Sequence, residues 1–126
     1  MFLIIAIVSG QGKSAPASLE TLASLFQSTQ RLAEEEPWAL AILPGSGINP
    51  ETVGLMLDTL LPHGLQEIHL SGGSWVEGGM SYKREGMGMG IGEGEWGIWR
   101  SHEQQIREVR LITDAAWQEH VLTMGQ

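Results

Sequence analysis

The chain has 126 residues, 42% of them apolar, with seven basic against fifteen acidic side chains and a formal net charge of −8. That length suits one globular domain, 1–126, with a modest core, and the charge argues against nucleic-acid backbones and anionic membrane surfaces as main partners. The absence of cysteine excludes disulfides, thiolate metal sites and cysteine nucleophiles.

Met1 to Val8 reads MFLIIAIV. This run is too short to span a bilayer, which takes about 20 residues, and it lacks the basic leader and small-residue cleavage site of a signal peptide. It reads as a buried parallel strand in a cytoplasmic protein, with a secretory or mis-annotated start as the alternative. The loop Gly10-Gln11-Gly12-Lys13-Ser14 ends like a Walker A motif, but the spacing GxxxxGKS needs a glycine at position 7, which is Ile7. A plain strand-to-helix loop is the better reading. Ser18 suits the cap of a helix from Leu19 to about Ala33, with Leu22, Leu25, Phe26 and Leu32 on its apolar face. Glu34-Glu35-Glu36-Pro37 closes that helix as a solvated connector.

Trp38 to Leu43 is apolar on both faces, as a parallel strand covered by helices should be. Pro44-Gly45-Ser46-Gly47 stops it. Asn49 then suits an N-cap, Pro50 the first helical position, and Glu51 the positive end of the dipole, so a helix is expected over Pro50 to Leu61. Its Val53, Leu57, Leu60 and Leu61 would pack on the sheet while Glu51 and Asp58 face water. Pro62-His63-Gly64 ends it.

The next stretch alternates: Leu65, Glu67, His69 and Ser71 on one face of a strand, Gln66, Ile68 and Leu70 on the other. In a barrel with its helices outside, Ile68 and Leu70 meet the helices and Glu67, His69 and Ser71 point inward. Buried polar groups need a partner, water or a ligand, since each left unsatisfied costs roughly 1–3 kcal/mol. Glu67 and His69 are therefore candidates for acid–base work; a structural histidine satisfied by its neighbours is the alternative for His69. Ser71-Gly72-Gly73-Ser74 follows as a loop, and Lys83 could bring positive charge to an anionic ligand there. Met87, Met89 and Ile91 alternate with glycines and would share a face, either as packing or as thioether donors to a soft metal such as Cu(I). Trp96, Ile98 and Trp99 suggest a short extended segment. Ser101 and Gln104 match a capping box opening a helix to about Trp117, with Ile106, Val109, Ile112 and Ala116 inward and frayed residues from Leu122 on.

The order β, α, β, α, β, long loop, α implies a parallel α/β architecture, an open sheet or part of a barrel. A full (β/α)8 barrel takes about 250 residues. The runs LPGSGINPETV, LQEIHLSGG and MSYKREGMGMG, with IVSGQGKSAPASLETLASL before them, resemble the closing part of the CutC copper-homeostasis family over about Ile7 to Val109. The resemblance implies an aldolase-type TIM barrel, of which the chain supplies the last βα units, and a copper-related role rather than a defined reaction; an aldolase-type barrel enzyme acting on a small anionic substrate and a non-catalytic interaction fragment are the alternatives. It places the glycine loops at the barrel's C-terminal face, where sites of this fold lie. Gly45, Ser46, Gly47, Ser71, Gly72 and Gly73 are then candidate ligand-binding backbone, with His69 near the mouth and a copper ion or small anion as ligand. Copper coordination by cysteine does not carry over, leaving His69, His63 and the methionines Met87 and Met89 as donors. The front strands of such a barrel have no counterpart here, so a truncated form or a homo-oligomer is expected, with Met1 to Ala6 as a substitute start.

Overall fold

The computed structural model describes residues 5–8, 14–35, 41–90 and 95–125. Met1 to Ile4, the Ser9–Lys13 loop, the Glu36-Pro37 connector, Trp38 to Leu40 and Ile91 lie outside them. The chain forms a mixed α/β structure of two compact units, residues 1–70 with 108–126, and residues 71–107.

In the first unit the strands β1 (Ile5–Val8) and β2 (Ala41–Pro44) pair in parallel, with Ile5 opposite Ala41 and Val8 opposite Pro44. Parallel neighbours need a long crossover, and helix α1 (Leu19–Glu35) supplies it after a short 3-10 turn, Ala15–Ser18. Ser18 therefore closes that turn, and the helix runs two residues past Ala33. Leu22 and Phe26 are the residues that α1 buries; Leu25 is half-buried and Leu32 is exposed.

Helix α2 (Val53–Leu60) shows how local chemistry sets an element. Asn49 Oδ1 accepts from the N–H groups of Glu51 and Thr52 at 2.9 and 3.0 Å, which satisfies donors that a helix start leaves open. The capped residues Pro50 to Thr52 form a turn rather than helix, so regular helix begins at Val53. Val53, Met56, Leu57 and Leu60 are buried, the i, i+3, i+4, i+7 set of one helix face; Met56 belongs to it as well. Glu51 and Asp58 are exposed, as expected.

The end is a Schellman arrangement. Leu65 N–H donates to Leu60 O at 3.2 Å and Gly64 N–H to Leu61 O at 3.0 Å, the two bonds that consume a helix's last carbonyls. Gly64 sits at φ +96°, where a side chain is strained. Leu65, the residue after it, is buried against the core.

That cap changes the fate of the next segment. Residues 65–71 form no regular strand, and one bond, His69 N–H to Pro44 O at 2.9 Å, ties the segment to the end of β2. The alternation holds in part. Ile68 and Leu70 are half-buried against the core, and Glu67 and His69 lie opposite, but Leu65 is buried by the cap, Gln66 is exposed, and Glu67, His69 and Ser71 are exposed instead of enclosed. No barrel closes among the described residues, whose strands form two separate pairs.

The second unit carries an antiparallel pair where a parallel strand and loop were expected. Strand β3 (Gly73–Val76) faces β4 (Ile98–Ser101), so Gly73 and Ser74 belong to strand rather than loop. Trp75 and Trp99 meet edge to face at 5.6 Å, a favoured aromatic geometry.

Helix α3 runs Glu103–Met124, well past Trp117; no glycine or proline interrupts it before Gly125. In the first unit Val109 is buried and Ile112 and Ala116 pack on the core, while Ile106 is about half exposed. His102 rather than Ser101 takes the cap position, because its carbonyl accepts from Ile106 N–H and the Ser101 hydroxyl donates to Ser71 O at 2.6 Å. No helix among the described residues is long and apolar enough to cross a membrane.

Candidate functional site

Pro44 ends β2, and the turn behind it is strained: φ is +76° at Ser46 and +73° at Gly47, unusual for the serine. Neighbours hold that turn. Ser46 O accepts from Ala15 N–H at 2.9 Å, and Gly47 O accepts from the Thr52 hydroxyl at 2.8 Å. A β-carbon on Gly47 would come within 2.5 Å of Ser14 Cβ, so the approach of the two loops requires glycine. Thr52 Oγ1 also receives Asn49 N–H at 3.0 Å, which joins the turn to the cap of α2.

His69 completes this group. Its backbone is fixed by Pro44 O, and its side chain lies along Gly45: a β-carbon there would be 3.5 Å from both His69 Cβ and His69 Nδ1. Gly45, Ser46, Gly47 and His69 thus come together past the end of β2, with Ser14 beside them. From sequence Ser14 is only the last residue of the Gly10–Ser14 loop, and nothing there signals its approach to Gly47.

Other expected residues lie elsewhere. Glu67 lines a groove of about 200 Å³ with Phe26, Gln30, Ala41, Ile42 and His63, beside the first residues of β2 rather than its end. Gln30 Nε2 donates to His63 O at 2.7 Å on the same wall. Ser71, Gly72, Gly73, Lys83, Met87 and Met89 belong to the second unit. There Ser71 Oγ accepts from Trp99 Nε1 at 2.9 Å, Gly72 O accepts from His102 N–H at 2.8 Å, and Gly73 pairs with Ser101. These groups hold β4. Lys83 Nζ stands 3.5 Å from Glu77 Oε1, and Met87 and Met89 are exposed, the latter almost wholly. Among the described residues no three His, Asp or Glu side chains gather as a metal site. A contact that no spacing signalled, between Ser74 and His102, 28 positions apart, closes to 2.7 Å.

No protein-family model matches the chain. It is 33% identical over 109 residues to a CutC family protein of Chromobacterium violaceum, an alignment that takes in 86% of this chain and 40% of that protein. The chain is thus distantly similar to part of a CutC family protein and spans about two fifths of that protein's length.

Proposed function

We propose that this chain, a distant CutC relative, acts in copper homeostasis as the later βα units of an aldolase-type barrel, with its ligand held at the turn Gly45–Gly47. The observation that supports this reading is the position of His69, tied to Pro44 O and laid along Gly45 past the C-terminal end of a parallel strand. In barrels of this class ligands sit at that end of the strands. The turn's carbonyls at Ser46 and Gly47 are spent on Ala15 and Thr52, which leaves its N–H side for a small anion, the role proposed also for Ser71, Gly72, Gly73 and Lys83. Copper is the cargo. With no cysteine in the chain, the donors proposed are the His69 imidazole in the first unit and, separately, the Met87 and Met89 thioethers in the second, donor types suited to Cu(I). The remaining strands of a barrel come from a second copy or from further polypeptide.

The test titrates Cu(I), and separately inorganic phosphate, into the full chain and into His69→Ala and Met87→Ala, with light scattering alongside. The expected result is that His69→Ala weakens Cu(I) binding about tenfold or more and that the chain self-associates. Unchanged Cu(I) affinity in both variants would remove copper from the proposal. Phosphate that binds the parent chain and is lost with His69→Ala supports the turn as an anion site, and absence of phosphate binding removes that part.

A second reading, an enzyme using Glu67 and His69 for acid–base chemistry on a small anion, is favoured by the groove beside Glu67. It predicts turnover that falls with Glu67→Gln while Cu(I) binding is unaffected.

A further inference from the structure

In the second unit the Ser74 hydroxyl on β3 and Nε2 of His102 are 2.7 Å apart and partly buried. Ser74 is paired directly with Arg100 across the antiparallel ribbon, and paired residues project from the same face. His102 continues that face two residues on. Its backbone is fixed at both polar groups: the N–H donates to Gly72 O at 2.8 Å and the C=O accepts from Ile106 N–H at 3.3 Å. Arg100 is exposed and takes no part in the ion pairs among the described residues. In a neutral imidazole with its proton on Nδ1, Nε2 is the acceptor for the serine O–H. A serine within hydrogen-bond reach of an imidazole is the arrangement that turns a weak hydroxyl into a nucleophile.

We propose that Ser74 and His102 are a nucleophile–base pair that hydrolyses a small carboxylate-bearing ester, held through its carboxylate by Arg100. Ser74 Oγ bonds to the ester carbonyl carbon as its proton passes to His102 Nε2. The C–O bond to the alcohol then breaks, and the alkoxide leaves with that proton. Water attacks the acyl-serine, gives a proton to Nε2, and releases the acid as Ser74 recovers its hydrogen. One ester and one water become one acid and one alcohol, with no oxidant or cofactor consumed. None of Ser74, Arg100 and His102 takes part in the CutC-related reading, so the inference stands apart from it.

The test treats the full wild-type chain with a fluorophosphonate, whose fluoride is displaced by an activated serine, and maps the adduct by peptide mass. Label on Ser74 is expected. His102→Ala, with unchanged circular dichroism, should label at least about 100-fold more slowly. The para-nitrophenyl monoester of succinic acid should be cleaved faster than para-nitrophenyl acetate, and Arg100→Met should reduce that preference about tenfold. An unlabelled Ser74 in the wild type overturns the proposal without any variant having to fold. Labelling that is equally fast in His102→Ala overturns it too, and equal cleavage of the two esters overturns the role given to Arg100.

Discussion

In the first unit the helices α1 and α2 press Leu22, Phe26, Val53, Met56, Leu57 and Leu60 into one apolar cluster with Ile42 and Val109, and among the described residues every buried apolar side chain of the core lies in this unit. The second unit places Trp99, Ile98, Met80, Met87 and Met89 at the surface and is tied instead by polar contacts. Trp99 Nε1 reaches Ser71 Oγ, Glu95 accepts from Gly86 N–H, and Gly90 N–H donates to Glu95 O. Burial of a Leu-sized side chain contributes about 1.5–3 kcal/mol, whereas a typical hydrogen bond nets about 0.5–1.5 kcal/mol because water competes for both partners. The first unit should therefore unfold cooperatively, and the second should open locally before it.

The most damaging test of that contrast is Leu60→Ala. The side chain is fully buried, so its removal should cost about 2–5 kcal/mol, read as a lowered urea midpoint followed by far-ultraviolet circular dichroism; a loss below about 1 kcal/mol would contradict the core described above. Gly64→Ala comes next. The φ of +96° and a β-carbon 2.9 Å from Gln30 Nε2 should destabilise the first unit by about 1–2 kcal/mol, and a neutral result would mean that the Schellman end is not formed. Trp99→Leu should cost the second unit roughly 0.5–1.5 kcal/mol beyond lost area. It should raise amide exchange in β3 and β4 while leaving that of α2 unchanged, and a global rise would show that the two units open together. The smallest effect belongs to Arg110→Gln, which removes the pair with Asp114 at 2.9 Å on an exposed face of α3. That exposed i,i+4 pair contributes about 0.2–0.5 kcal/mol, near the limit of a melt.

Local order explains which parts of the chain could be read without coordinates. Asn49, Pro50 and Glu51 announce the start of α2, and Pro62-His63-Gly64 its end, because caps and left-handed turns involve neighbours only. The apolar periodicity of α1 is equally local, and so is the turn at Gly45–Gly47 after an apolar strand. The helix after Ser101 was legible too, but its length was not: a capping signal says where a helix begins, and the uninterrupted helix formers from Leu111 to Met124 carried it further.

What tertiary structure alone decided is the identity of partners. The alternation over residues 65–71 is compatible with a strand, yet a strand exists only where a neighbour supplies a ladder of hydrogen bonds, and β2 supplies a single bond at Pro44. Gly73 to Val76 found its ladder 25 residues away in sequence, at Ile98 to Ser101, through pairing that no short window contains. His69 beside Gly45, and Ser74 beside His102, follow from the same long-range closures. The sequence by itself determined where the helices lie, the Asn49 cap and Gly64 end of α2, the turn after β2 and the distant similarity to CutC, since each is written in adjacent residues or in their order. The register of the strands, the exposure of Glu67, His69 and Ser71, and the side chains that meet were decided by the fold, because they depend on which surfaces remain once the helices have buried theirs.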